Sequence, residues 1–203
     1  PSPAALAAAR RMVAAATRPV VIIGLEATEP ARCAATRRLV EALGCPALVT
    51  YKAKGVLADR HPLHAGIFTG GSLEAPCVEE ADLILTIGLD PVELILQPWR
   101  YRAPVLDLAL RPHPVRYVEP VAALHGDLAA SIGKLAAVAQ SSSWAASDIA
   151  RHRNAALDAL AWAGQGGVAP PDIVRLAQDA AREAGRMPRV AVDAGAHMFS
   201  ATA

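Results

Sequence analysis

The stretch RPVVIIG, residues 18–24, decides the fold of this 203-residue chain. Residues 19–23 form a continuous apolar run that is rich in β-branched side chains, and Gly24 ends it. Such a run is typical of a strand buried on both faces of a parallel sheet, because a half-exposed strand would alternate apolar with polar residues. The sequence therefore predicts a central parallel strand at this position.

The segments around this strand repeat a pattern of helices and strands. Residues 28–43 carry apolar side chains at helical spacing, and Gly44 follows where helices commonly end in a left-handed conformation. The same signals predict helices at 4–16, 72–81 and 127–139 and strands at 46–50, 82–87, 104–108 and 121–124. Alternating helices and apolar strands predict an α/β fold with a doubly wound, mainly parallel sheet. Ligands of such sheets bind at the carboxyl ends of the strands.

Composition narrows the possible functions. Hydrophobic residues make up 53% of the chain and aromatic residues 4%, which suits helices packed on a parallel sheet. Twenty basic and nineteen acidic residues give a formal charge of +1, without the basic block expected of a nucleic-acid-binding protein. No apolar run approaches the roughly 18 residues that cross a bilayer, and the start shows no secretory signal. We expect a cytoplasmic protein that acts on small molecules and binds neither nucleic acid nor membrane.

Metal and disulfide chemistry are not indicated by residue spacing. The three cysteines are odd in number and lack the paired spacing of a zinc site. His61 and His64 have a spacing that can share a metal on a helix, but Pro62 favours extended backbone between them. We therefore expect no metal ligands in this chain.

A change in composition predicts a domain boundary. Residues 140–143 read QSSS, and we assign residues 1–139 to one domain, 140–147 to a linker and 148–203 to the beginning of another. Helices near 147–162 and from 171 onward precede a predicted strand at 190–193. One strand cannot form a sheet, so we expect its partners to lie outside the chain.

Three stretches resemble the thiamine-diphosphate-dependent enzymes of the acetolactate synthase group. They are RPVVIIG at 18–24, YKAKGVLADRHPLHAG at 51–66 and EEADLILTIGLD at 79–90. Residues 125–135 are similar to the segment that closes the central domain of that family, and VAVDAGAHMFSATA at 190–203 looks like the start of its diphosphate-binding domain. The resemblance implies a Rossmann-like central domain.

The resemblance also implies a function and the partners that it needs. The intact enzyme would be an oligomeric lyase or transferase that decarboxylates 2-oxo acids or joins their carbon skeletons with thiamine diphosphate and Mg²⁺. In the family, the acid that activates the thiamine ring lies in a preceding pyrimidine-binding domain, and the Mg²⁺-diphosphate motif would lie beyond residue 203. We therefore expect no catalytic residue here, no cofactor bound to the chain alone and no turnover by it. The alternative is a non-catalytic module that binds a nucleotide such as FAD or ADP, or serves as a scaffold.

Two sets of candidate binding residues follow from the resemblance. On the diphosphate side, the Asp-x-Gly-x-His pattern places Asp193, Gly195 and His197 beside the cofactor. A nucleotide in the central domain would meet residues at predicted strand ends: Gly24, Thr50, Tyr51, Lys52, Gly88, Asp90, Asp107 and Asp127.

Several of these residues also have structural explanations. Gly24 suits a simple turn, Asp127 suits a helix cap, and Asp107 fits either a cap or a ribose ligand. Family members that carry FAD have consecutive glycines where Leu25 and Glu26 stand here. The added bulk and negative charge argue against a flavin.

Overall fold

The computed structural model describes residues 1–94, 97–161, 164, 167–187 and 190–192. It divides into two compact units, Pro1–Arg153 and Asn154–Ala203. The described strands are β1 Pro19–Ile23, β2 Ala47–Val49, β3 His64–Ile67, β4 Leu83–Ile87, β5 Val105–Ala109 and β6 Ala122–His125. The described α-helices are α1 Pro3–Ala15, α2 Pro30–Leu43, α3 Ala75–Glu79, α4 Leu128–Ala136, α5 Ala146–Ala159 and α6 Pro170–Glu183.

The first unit is built on one parallel sheet. Its six strands lie in the order β3-β2-β1-β4-β5-β6, and every neighbouring pair is parallel. All five residues of β1 are buried, as are all five of β4. This order, with β1 and β4 side by side at the centre, is that of a Rossmann-like doubly wound sheet and confirms the predicted fold class.

Local sequence signals set the ends of the helices. The Ser2 hydroxyl accepts a hydrogen bond from the Ala5 amide and caps α1, while Glu29 caps α2 through the amides of Ala31 and Arg32. Gly44 ends α2 with φ +58°. Helix α4 contacts both α1 and α2, and α1 and α4 also pack against β6.

The sequence prediction missed β3. This strand begins at the buried His64 and contains Gly66, residues that are uncommon in strands. It joins the sheet by pairing with β2, and the register shifts between Ala47 and Leu48. A short, partly polar edge strand has little local signal, so only its long-range pairing defines it.

Other predicted bounds need smaller corrections. The helix predicted at 72–81 is the shorter α3, and that at 127–139 is α4. The helix predicted from residue 28 begins at Pro30, after a 3₁₀ turn at Leu25–Ala27. Residues 190–192 are not in a strand, contrary to the prediction, and Asp193 lies outside the described residues.

The stretch predicted as a linker, residues 140–147, lies within the first unit and is hydrogen-bonded to other parts of it. The Ser142 amide donates to Leu43 O at 2.7 Å, and the Ser143 amide donates to Thr17 O at 2.8 Å. The indole Nε1 of Trp144 donates to Pro19 O at 2.9 Å. Residues 142–144 are thus hydrogen-bonded to the end of α2, to the loop before β1 and to β1 itself. The role of 140–147 as an interdomain linker stays a prediction.

In the second unit, α6 is amphipathic. Ile173, Val174 and Leu176 are exposed by 39% or more, and charged residues occupy the other face. Among the described residues, no helix combines the length and apolar character needed to cross a lipid bilayer.

Candidate functional site

The candidate site lies where β1 and β4 end side by side. The strands that follow β1 and β4 in sequence extend the sheet in opposite directions, which makes this edge the topological switch point where such folds bind ligands. Gly24 follows β1 and Gly88 follows β4, and the Gly24 amide donates to Ile87 O at 2.9 Å. A Cβ on Gly24 would lie 2.4 Å from Gly88 O, so the backbones touch directly.

The carboxylate of Glu93 fills this switch point. Its Oε1 accepts hydrogen bonds from the Leu25 amide at 2.7 Å and from the Asp90 amide at 2.8 Å. Its Oε2 accepts a short hydrogen bond from the Thr50 hydroxyl. In dinucleotide-binding folds, free amides after β1 receive the ligand's pyrophosphate. Here the Leu25 amide donates instead to Glu93, a side chain of the protein itself.

The loop that carries Glu93 is held in place by Tyr117. The phenol oxygen of Tyr117 donates to Pro91 O at 2.9 Å and accepts from the Leu94 amide at 3.1 Å. Burial raises the pKa of Glu93, and the donors from Thr50, Leu25 and Asp90 only partly oppose this effect. A desolvated carboxylate is therefore fixed at the place where a ligand phosphate would bind.

A second group of polar side chains lies at the same edge. Glu26, in the 3₁₀ turn after β1, accepts a hydrogen bond from the Leu110 amide at 2.7 Å through Oε2. Its Oε1 lies 3.2 Å from Nε2 of His113, in the loop after β5. Asp90 offers a ligand atom within 4.8 Å of those of Glu26 and His113.

Asp107 belongs to a different part of the sheet. It pairs with Thr86 across β4 and β5, and the Thr86 hydroxyl donates to its Oδ1 at 2.6 Å. Its Oδ2 lies 3.8 Å from His125 Nε2. Thr86 and Asp107 line a cavity of about 30 Å³ with His113, Arg116 and Tyr117. A space of this volume holds about two water molecules.

The structure brings some predicted residues together and leaves others apart. Gly24, Thr50 and Asp90 lie around the Glu93 carboxylate, and the Gly88 carbonyl lies against Gly24. Tyr51 and Lys52 begin a 3₁₀ turn after β2, and the Lys52 side chain is exposed. Asp127 caps α4 by accepting from the Ala130 amide at 2.9 Å. A nucleotide-binding role for any of them stays a prediction.

Asp193, Gly195 and His197 lie outside the described residues. Their predicted place beside a cofactor diphosphate therefore stays a prediction.

Sequence reasoning missed Glu93 and His113 as site residues. Glu93 is the third residue after Asp90, and an acidic residue this soon after a strand-end aspartate was the available signal. His113 lies in a loop with no motif around it. Only the tertiary structure brings it to Glu26.

Comparison with known families adds the decisive observation. The profile of the family described as "Thiamine pyrophosphate enzyme, central domain" matches residues 6–135 of this chain, which include all six strands. The chain belongs to this family. The suspected relationship to thiamine-diphosphate enzymes is thereby confirmed.

Curated relatives of this central-domain protein are enzymes. Acetolactate synthase of Bacillus subtilis is 34% identical over 101 residues, 47% of this chain and 17% of that enzyme. Pyruvate decarboxylase of Candida glabrata is 35% identical over 81 residues, 38% of the chain and 14% of the enzyme. Oxalyl-CoA decarboxylase of Escherichia coli K12 is 28% identical over 145 residues, 69% of the chain and 25% of the enzyme. The matches thus span a quarter or less of each of these relatives.

The switch point of this central-domain protein does not fit thiamine diphosphate. A diphosphate needs amide donors or a metal cradle. At the switch point, the Leu25 amide is taken by Glu93, and Glu26 adds a negative charge beside it. These residues repel a diphosphate, so we derive no catalytic step through the cofactor from them.

Proposed function

We propose that this chain comprises the central domain and the start of the diphosphate-binding domain of a larger thiamine-diphosphate-dependent 2-oxo-acid decarboxylase or carboligase of the acetolactate synthase type. The observation that carries the proposal is the match of residues 6–135 to a central-domain family. The relatives, which include a synthase and decarboxylases, support this reaction class. The domain would work beside a pyrimidine-binding and a diphosphate-binding domain, in a cytoplasmic oligomer.

In this proposal, the domain contributes rigidity rather than catalytic groups. Glu93 satisfies the amides of Leu25 and Asp90 without a ligand, so the switch point is complete on its own. Thiamine diphosphate and Mg²⁺ would be held by the other domains, with Asp193, Gly195 and His197 on the diphosphate side. The cofactor would supply the carbanion chemistry.

The test is a turnover assay on the 203-residue chain. Incubation with pyruvate, thiamine diphosphate and Mg²⁺ should release no CO₂ above the rate of the same mixture without protein. Acetolactate synthase of Bacillus subtilis, assayed in parallel, controls for the substrate and cofactor. Cofactor-dependent CO₂ release by the chain would overturn the scaffold role.

A nucleotide-binding module is the second candidate. The Thr86–Asp107 pair favours it, because a carboxylate near a strand end is a common ribose ligand. Glu93 opposes it by occupying the Leu25 amide.

The two roles differ in their response to nucleotides. The scaffold role predicts that ADP, FAD and coenzyme A leave the melting temperature of the chain unchanged. A concentration-dependent increase with any of them would favour the second role, since a ligand that binds only the native state stabilises it. Flavin absorbance in the purified protein would also favour it.

A further inference from the structure

Three loops at the carboxyl end of the sheet bring two carboxylates and one imidazole to one point. Glu26 follows β1, Asp90 follows β4, and His113 follows β5. One donor atom from each lies within 4.8 Å of the other two. We propose that these three side chains form a binding site for a divalent transition-metal ion of the Zn²⁺ type.

The His113 imidazole distinguishes this group from a simple acidic cluster. Its side chain is only 10% exposed, and its Nε2 lies 3.2 Å from Glu26 Oε1. Within the described part of the chain, Nε2 makes no hydrogen bond, and Glu26 Oε1 faces it as an ion-pair partner. A buried ring nitrogen without a hydrogen bond needs a specific explanation. A metal ion bound to the lone pair of His113 Nε2 would provide that explanation.

The separation of these two atoms is compatible with neighbouring metal ligands. Donors that bind one ion at about 2.0–2.1 Å, at roughly 90–110° to each other, lie about 3.0–3.4 Å apart. The 3.2 Å between Nε2 and Oε1 falls within this range. In a metal site the nitrogen lone pair is directed at the ion rather than at the next ligand, which agrees with the missing hydrogen bond. Asp90 offers the third ligand atom, within 4.8 Å of the other two.

Each carboxylate is oriented by a backbone amide. Glu26 Oε2 accepts from the Leu110 amide at 2.7 Å, and Asp90 Oδ1 accepts from the Val92 amide at 3.0 Å. The other oxygen of each group is left for the ion. Hydrogen bonds of this kind fix metal ligands in position and raise affinity.

The local charge also favours a cation. Glu93 places a third carboxyl group beside Asp90, because it accepts a hydrogen bond from the Asp90 amide at 2.8 Å. Glu26 and Asp90 each offer an oxygen within 4.8 Å of the other, and a cation bound between them relieves their repulsion. His113 also lines an open depression with Arg116 and Glu119.

The donor set selects the class of metal. One imidazole nitrogen and two carboxylate oxygens suit Zn²⁺ and its substitute Co²⁺, whereas Mg²⁺ and Ca²⁺ prefer oxygen donors throughout. Three protein ligands leave a fourth position for water. A bound ion would tie together the loops that follow β1, β4 and β5.

The test is titration of the metal-free, untagged 203-residue chain with Co²⁺, followed by absorbance and by calorimetry. We expect one ion per chain, tetrahedral visible bands and displacement by Zn²⁺ but not by Mg²⁺. The variants Glu26→Gln and His113→Gln should each weaken binding at least tenfold. His61→Gln is the matched control, because His61 Nε2 lies 3.5 Å from Glu41 Oε1 in a pair of the same type, and its affinity should stay within twofold of the unmutated chain.

A measurement on the unmutated chain guards against variants that fail to fold. Addition of Zn²⁺ should shift the ¹⁵N resonance of the His113 imidazole, and the other histidines should not respond at one equivalent. Several outcomes would overturn the proposal: no stoichiometric binding, wild-type affinity in both site variants, or a shift at another histidine. A thiolate-to-cobalt charge-transfer band would also overturn it, since it would place the ion on a cysteine.

Discussion

The backbone of Gly24 lies against that of Gly88, so that a Cβ on Gly24 would be 2.4 Å from Gly88 O and 2.5 Å from Leu89 Cα. Both obstacles are backbone atoms of the neighbouring β4 end and cannot rotate away. Gly24 has φ −113°, so its conformation is open to any residue and only the close approach demands glycine. The two glycines set how closely β1 and β4 approach at the switch point.

The first prediction concerns this contact. Gly24→Ala should lower the free energy of unfolding by roughly 1–3 kcal/mol, because the new methyl group must push the β4 end away. Urea denaturation followed by circular dichroism measures it. Gly133→Ala in α4 is the control: its Cβ meets nothing within 4 Å, and it should stabilise the helix by roughly 0.5–1 kcal/mol. Equal effects of the two changes would contradict the steric account.

The second prediction concerns the Glu93 carboxylate. Glu93→Ala leaves the amides of Leu25 and Asp90 without their acceptor and should cost roughly 1–3 kcal/mol of unfolding free energy. Glu93→Gln keeps an oxygen at the same place and should cost clearly less. Urea denaturation measures both losses. Equal losses of unfolding free energy in the alanine and glutamine variants would contradict this role of Glu93.

The third prediction is the pH dependence that Glu93 causes. Burial raises the pKa of Glu93 in the folded state, so the folded state holds this proton more strongly than the unfolded state does. Its contribution to stability is full below the ordinary glutamate pKa and is lost as pH rises through the raised value. In the Glu93→Gln variant, the unfolding free energy, measured by urea denaturation at a series of pH values, should no longer decrease over this pH range. An unchanged profile in the variant would show that another group is responsible.

The fourth prediction is an opposite pH effect at His64. Burial lowers the pKa of His64 and outweighs the attraction of Asp59; the charges of Lys54, Arg153 and His61 lower it further. Its contribution to stability is therefore present above the ordinary histidine pKa and is lost as pH falls through the lowered value. His64→Leu should flatten the acid side of the stability profile, measured by urea denaturation at a series of pH values. A variant as acid-sensitive as the parent would refute this assignment.

The fifth prediction concerns Trp144, which fastens residues 142–144 to the sheet. Its indole donates to Pro19 O at 2.9 Å, and the Arg18 guanidinium stacks 3.8 Å from the ring centroid. Trp144→Phe should lower the unfolding free energy by roughly 1–2 kcal/mol through the lost buried hydrogen bond and the weaker cation–π contact. Arg11→Ala, at an exposed position of α1, should change it by about 0.5 kcal/mol or less. A loss at Trp144 no larger than that at Arg11 would show that this contact does not stabilise the fold.

Local sequence was sufficient where burial on both faces leaves a clear pattern. The run from Pro19 to Ile23 and the run from Leu83 to Ile87 are apolar throughout, and both are fully buried strands. It was insufficient for β3, which starts at His64 and gains its identity only by pairing with β2. The helix predicted at 72–81 was too long, because only residues 75–79 are helical.

The candidate site shows the same division. Strand-end positions such as Gly24, Gly88 and Asp90 follow from the sequence, because a parallel sheet places all its carboxyl ends at one edge. That the Glu93 carboxylate would fill the space between them does not follow. It depends on the path of the loop after β4 and on its hydrogen bonds to Tyr117.

The amino-acid sequence by itself determined that this protein is an α/β protein with a parallel sheet, because the periodicity of apolar residues records which faces of each element are buried. It also carried enough family resemblance to indicate a thiamine-diphosphate enzyme. Only the tertiary structure decided the strand order and the closed switch point. It alone brought Glu26, Asp90 and His113 together, since these depend on contacts between residues far apart in the chain, which local patterns do not encode.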